Sequence, residues 1–596
     1  MEVLYSVPVN VDGDFETLSY SFNKKKFGPS PYYNGSKLIV SKGTLVKFDS
    51  LFASFFESVW LKHTSVKNIS IRVKVKGECE VSIFRKRASS ARELINKCSS
   101  DDNELIDFKY CLDQCESTFD SRLWVEIKAI DDIEIESLEW CCLDGVENKN
   151  VSIGVCFATY NRVEYLDKVV RSIIENDISK SAVEKIIIVN QGDDFKGEES
   201  FYSFLDNNNG LINVVNQENL GGCGGFTRGI HELLSIKKIS HVLLCDDDIM
   251  FEPYSLERLF GFLKYSTEDI AVGGQMLDIL KPSVLYENGA VLKEKTLTPK
   301  PIDHNISMSE VDSLDILNVQ KKLDYNGWWY FCVSRKSVEK VKYPMPCFIR
   351  GDDIEYGVRL NRAGIETVVI PGLVVWHEPF YLKLDGWQYY YEVKNRLVLR
   401  SIHYAERNIK DELSSLTAIF LRDLLTCRYH SAQLCIKAIE DYLAGSEETL
   451  TCDPGKLADI RNIVRDFGPK SIDNNTSPLQ KETHFNSLIG NCPTILVWVL
   501  AFVRNMFSFK TKNSKYVDAR DVTIGKVMFM DEFVVKQRDG LTFVKFSRSR
   551  KQFFSMLFRF IKAYISLKNN YPSLKSKYQS DYKDLIKPEY WISRYF

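Results

Sequence analysis

His241-Val242-Leu243-Leu244-Cys245-Asp246-Asp247-Asp248-Ile249-Met250 joins an apolar run to three consecutive carboxylates. A short apolar run reads as a strand buried on both faces, and charges cannot follow it inward, so the acids are expected where the strand leaves its sheet. Three like charges at one strand end repel one another. A hard divalent cation such as Mg2+ or Mn2+ relieves that repulsion by taking carboxylate oxygens as ligands. In an open α/β sheet the carboxyl ends of the strands are also where ligands bind. A solvated acidic loop is the competing reading, and the flanking chain decides between them.

From Val151 onward strands alternate with helices, the mark of a parallel sheet. Val151 to Phe157 is one strand, followed by Ala158-Thr159-Tyr160-Asn161-Arg162 and an amphipathic helix from about Glu164. Lys185 to Val189 is the next and ends in Asn190-Gln191-Gly192-Asp193; Leu211 to Val215 leads into Asn219-Leu220-Gly221-Gly222-Cys223-Gly224-Gly225. The glycines lack the spacing of a Walker loop or a dinucleotide fingerprint. They follow a strand and open a helix whose N-terminus can face an anion, with Arg228 nearby, which suits a diphosphate. Further along stand Asn326-Gly327-Trp328-Trp329, then Asp352-Asp353-Ile354-Glu355 at an expected helix start, then Trp376-His377-Glu378 after another apolar run. Each has a bland alternative: tryptophans pack in cores, aspartates cap helices and a lone histidine is usually structural. Of two adjacent tryptophans on an extended segment, one is expected to reach the cleft and the other to pack.

Taken in order, these six motifs resemble those of family 2 glycosyltransferases of GT-A fold, and more narrowly the bacterial galactofuranosyltransferases that build cell-wall galactan. The resemblance is strong over about 151–400, looser over the N-terminal β region and weakest after about 410. It implies Asp246 and Asp248 as the outer residues of a DxD metal motif, with His377 as a further ligand. It implies Asp353 as general base, Asp352 as its acceptor-binding neighbour, and Trp328, Trp329, Glu355 and Trp376 around the sugar and acceptor. Thr159, Arg162, Asp193, Asn219, Gly221, Gly222 and Asp247 are implied as donor contacts. The activity implied is a metal-dependent (Mn2+ or Mg2+), inverting transfer of galactofuranose from its UDP donor to a lipid-linked or cell-surface glycan. Transfer of another sugar such as rhamnose is the nearest alternative. Nucleotidyl transfer lacks a role for the Asp353 and His377 motifs, and a non-catalytic glycan-binding scaffold has no need of a base opposite a metal.

The chain has 596 residues, too many for one core. We expect a β-sandwich or jelly-roll domain over 1–150, an α/β GT-A (Rossmann-like) domain over 151–400 and a helical region over 401–596. In the first, Ile69, Ile71, Val73 and Val75 alternate with polar residues, Lys76-Gly77 turns, and Val81 and Ile83 resume, which reads as a hairpin. Lys plus Arg number 78 against 80 Asp plus Glu, so global charge gives no case for nucleic acid. The fifteen cysteines lack metal-ligand spacing and fit a reduced, cytoplasmic setting. The N-terminus shows no secretory signal. The longest apolar run, Ile495 to Val503, is well short of the roughly 18 residues that mark a membrane span.

Beyond 400, Leu413 to Leu425 and Ala432 to Leu443 carry helical periodicity, and Asp473 to Pro478 reads as a loop. Between Asp539 and Asp581 no acid occurs, while lysines and arginines interleave with Phe553, Phe554, Phe558 and Phe560. A basic, aromatic-rich helix of this kind is expected to lie on the inner face of the cell membrane. A solvated face packed on its own domain, or a homo-oligomer contact, is the alternative use of that stretch.

Overall fold

A computed structural model describes residues 2–9, 13–23, 29–88, 90–100, 104–112, 120–143, 146–379, 386–472, 493–507, 515–518, 522–536 and 543–596. The expected loop at 473–478 and the start of the acid-free stretch at 539–542 lie outside these residues. The described chain divides into two compact units. The first holds 1–291, 299–343 and 356–379, and the second 292–298, 344–355 and 380–596.

Two six-stranded antiparallel sheets open the first unit. One runs Glu104–Cys111, Asn68–Lys76, Ile133–Cys142, Leu38–Val40, Tyr32–Tyr33, with Glu2–Ser6 added on Ile133–Cys142. The other runs Ser21–Asn23, Leu45–Lys47, Ser121–Ala129, Cys79–Arg87, Glu93–Ser100, with Phe55–Phe56 added on Ser121–Ala129. The expected hairpin across Lys76-Gly77 is therefore corrected. Its two strands pair with other partners and lie in different sheets. Val73, Val75, Val81 and Ile83 are all buried, as inward faces of opposite sheets should be. Period-two alternation reads the same in a hairpin and in an arch between sheets, so the pattern alone could not separate them.

The α/β layer is one ten-stranded sheet. Ile212–Asn216, Val183–Asn190, Ile153–Thr159 and His241–Asp246 lie side by side in parallel. Phe331–Ser334 then runs antiparallel between His241–Asp246 and Ala271–Asp278, which makes the sheet mixed. The helix Gly221–Ser235 packs against the strand Ile153–Thr159 at very short range. A Cβ on Gly229 would fall 1.9 Å from the Cys156 sulfur, so only glycine admits that approach.

Sandwich and sheet share a buried seam. Arg258, on the helix Tyr254–Tyr265, is buried and donates to the carbonyls of Pro371 (2.9 Å) and Phe52, with its guanidinium 4.0 Å from the Tyr5 ring centre. Trp60 of the sandwich meets Phe262 edge to face at 5.1 Å. A hydrophobic cluster joins Leu51, Phe52 and Phe56 to Leu277, Val374 and Trp376.

The second unit is mainly helical. Gln388–His403, Ile409–Leu425, Tyr429–Ala444 and Pro454–Phe467 are followed by Thr494–Met506, Arg550–Leu585 and Pro588–Arg594. A small sheet that sequence periodicity did not reveal runs Lys470–Ile472, Phe543–Ser547, Glu532–Lys536, Lys515–Asp518.

Candidate active site

Strand register brings the first unit's polar groups together. Thr159 is opposite Asn190, Asn190 opposite Asn216, and Ala158 opposite Asp246, so the parallel strands end level with one another. The two-residue strand Met250–Phe251, just past the acids, pairs with Trp376 and Val375, while Asp278 lies opposite His377 on the other side. This double pairing delivers His377 to the acids from far along the chain. Its Nε2 lies 3.1 Å from an oxygen of Asp248 and 3.8 Å from one of Asp246. One ligand atom from each of the three falls within 4.8 Å of the others. Two carboxylates and an imidazole converging at that range are a donor set that fits a divalent cation.

The middle acid differs from its neighbours. Asp247 is buried, and burial pushes its carboxyl up to about 7 against the opposing pull of the Thr159 hydroxyl and the Arg162 guanidinium. Arg162 hydrogen-bonds Asp248 and lies 3.9 Å from Asp247. Burial alone would lower the guanidinium's pKa, but the attraction of Asp248 and Asp247 outweighs it and the pKa stands above its usual value. The guanidinium is thus held at the acid cluster by charge.

The remaining donor candidates form a connected rim. Asn219 accepts from the Gly221 N–H at 3.0 Å, and Gly221, at φ 72°, starts the glycine helix with Gly222 after it. Asp193 is exposed, with its N–H donating to the Asn161 side chain at 2.7 Å. Gln191, unremarked in the sequence, ties these pieces together. Its amide donates to the Gly221 carbonyl (3.0 Å) and its oxygen accepts from Leu220 N–H (2.9 Å) and Gln217 (3.0 Å). A buried polar residue leaves no periodicity to find; its place at a strand end was the available signal.

Both tryptophans are buried. Trp329 donates to the Gly274 carbonyl at 3.2 Å and its ring centre is 6.5 Å from that of His377. Trp328 packs edge to face on Phe226 and Tyr356, and its buried indole N–H has no partner among the described residues. Trp376 departs from the expected sugar-binding place. Its ring is buried among Phe15, Phe52 and Leu277, and its N–H donates to Pro282 at 2.8 Å, so it serves the seam.

Asp352, Asp353 and Glu355 belong to the second unit, in the first turn of the helix Asp352–Arg362. Asp353 accepts from the Ile354 N–H at 2.8 Å. Glu355 also departs from the expected acceptor contact. It is 1% exposed, and one of its oxygens is taken by His403 and Tyr582.

An acid-and-imidazole cluster at the parallel strand ends of a mixed α/β sheet suits a phosphate-bearing ligand bound through a divalent cation, and the sequence comparisons narrow the class to glycosyltransferases. Residues 150–396 match the family model Glycosyltransferase like family 2, and residues 20–143 match Galactofuranosyltransferase 2 N-terminal. Residues 150–396 thus form a family 2 glycosyltransferase domain of GT-A fold. Two relatives are named hexosyltransferases: the chain is 28% identical to Galactofuranosyltransferase GlfT2 of Mycolicibacterium smegmatis, over 70% of this chain and 67% of that protein. It is 25% identical to Galactofuranosyltransferase GlfT2 of Mycobacterium tuberculosis, over 92% of this chain and 89% of that protein. Among solved structures, GalNAc-T7 with UDP, GalNAc and Mn2+ aligns over 53% of this chain and 55% of that one, at 12% identity and TM-score 0.33.

Proposed function

We propose that the protein transfers galactofuranose from UDP-galactofuranose, with inversion, to a lipid-linked or cell-surface glycan. The observation that carries this reading is the convergence of Asp246, Asp248 and His377 at the strand ends of a chain whose relatives are galactofuranosyltransferases. A Mn2+ or Mg2+ ion held by these three would neutralise charge growing on the departing diphosphate. Arg162 and the amides opening the helix Gly221–Ser235 orient that diphosphate, a helix N-terminus being suited to anions. Asp353 accepts the proton of the acceptor hydroxyl as its oxygen attacks the anomeric carbon. That role rests on the motif order. A single displacement inverts the configuration, through an oxocarbenium-like transition state.

Donor hydrolysis across a panel of UDP- and dTDP-sugars, with Mn2+, Mg2+ or EDTA, tests the donor. Turnover of UDP-galactofuranose alone, abolished by EDTA, is expected. Preference for a dTDP-sugar such as dTDP-rhamnose would keep the chemistry and overturn the donor.

The same proposal places the enzyme on the inner face of the cell membrane. No helix among the described residues is long and apolar enough to cross a membrane. The helix Thr494–Met506 nevertheless exposes Ile495 (73%), Val499, Leu500 and Val503, while Phe502 packs against Phe553 of the helix Arg550–Leu585. That second helix exposes Phe558, Ile561 and Ile565 among the exposed Lys551, Lys562 and Lys568. Apolar side chains among cations suit an anionic bilayer surface. Sedimentation with vesicles should show binding when phosphatidylglycerol is present and release by salt. Val499→Glu combined with Leu500→Glu should abolish it; equal recovery in the supernatant with neutral and anionic vesicles would sink the membrane reading.

A further inference from the structure

The segment 344–355, which carries Asp352, Asp353 and Glu355, is held at both ends by contacts from Trp591, Tyr582 and His403. Trp591, fully buried, donates from its indole to the Pro344 carbonyl at 3.0 Å. Tyr582, near the end of the helix Arg550–Leu585, donates to an oxygen of Glu355 at 2.7 Å. His403, from the helix Gln388–His403, donates to that same oxygen at 2.8 Å, and its ring meets Tyr582 edge to face at 5.6 Å. A buried carboxylate is tolerated only with partners of this kind.

Between these two anchor points the backbone is contorted. Phe348 (φ 72°), Arg350 (φ 61°) and Gly351 (φ 97°) all lie in the left-handed region. Side-chain-bearing residues persist there only where the surroundings over-determine them. Asn395 supplies that constraint: its buried amide nitrogen donates to the carbonyls of Ile349 (2.9 Å), Arg350 (2.6 Å) and Cys347 (3.3 Å).

We infer that Tyr582, His403, Glu355 and Asn395 are positioning residues. They fix the turn that carries Asp353, so that the C-terminal helix governs turnover without touching substrate. The inference rests on the assignment of Asp353 as the base. A misplacement of about 1 Å at a reacting group lowers rate by about a hundredfold, so partial release of this turn is expected to lower kcat about tenfold.

The test compares Tyr582→Phe, Glu355→Ala, Glu355→Gln and Asp353→Asn in the full-length enzyme, with kcat and donor KM measured separately. Tyr582→Phe and Glu355→Ala are expected to lose about tenfold in kcat with donor KM unchanged. Glu355→Gln keeps an oxygen for both donors and should recover most of that loss. If glutamine is as damaging as alanine, Glu355 belongs to the chemistry and the inference fails. Wild-type kcat in the conservative Tyr582→Phe would also overturn it, whatever the fate of Glu355→Ala. Loss of turnover in Asp353→Asn beside an unimpaired Tyr582→Phe sinks this inference alone; full turnover in Asp353→Asn sinks the base assignment instead.

Discussion

Replacing Asp353 by asparagine is expected to lower kcat about a thousandfold, or about 4 kcal/mol of transition-state stabilisation, while donor affinity stays within a factor of two. Asparagine is the informative choice. Asp353 sits in the first turn of its helix and accepts from the Ile354 N–H, and asparagine accepts such a bond and suits helix starts about as well as aspartate. It cannot take a proton from an attacking hydroxyl. The helix start therefore survives the substitution while the base does not. Single-turnover assays paired with calorimetric UDP titration separate the two effects. Full turnover with an unchanged thermal midpoint would reduce Asp353 to a structural helix-start residue.

The second large effect is expected at the acid cluster. UDP should bind the wild-type protein about a hundredfold tighter with Mn2+ than with EDTA, in line with several kcal/mol from a metal on a diphosphate. In Asp248→Ala that ratio should fall to about one. Asp248 is the residue common to the His377 and Arg162 contacts, so its loss removes a ligand and frees the guanidinium at once. His377→Ala should weaken the metal effect more mildly, because both carboxylates remain. Equal UDP affinity with and without metal in the wild type would contradict a metal role for all three residues.

Much of this site was legible in the sequence because strand ends announce themselves. An apolar run that stops at Thr159, at Asn190 or at Asp246 fixes where the polar group emerges, and the parallel register does the rest. His377 was found the same way, at the end of Thr367–His377. What stayed hidden were pairings that leave no periodic trace. Gln191 and Glu355 are buried polar residues whose partners lie in other loops or helices, and neither shows in a hydrophobic pattern. Trp376 was misread for a related reason. Its neighbour His377 faces the acids while successive side chains of a strand point to opposite faces, so motif proximity said nothing about which side Trp376 occupies. The turn at Lys76-Gly77 failed because alternation reports burial and not partner.

The seam around Trp376 has a consequence for how the protein can be divided. The match to the glycosyltransferase family begins at residue 150, which invites expression of a shortened enzyme from that point. Such a fragment would uncover Trp376, Val374 and Leu277 and leave Arg258 without the Phe52 carbonyl. The strand so stripped is the one that ends in His377. The sandwich is thus half of the mould in which the strand carrying His377 is cast, and the boundary drawn by sequence kinship is not one along which this molecule can be cut.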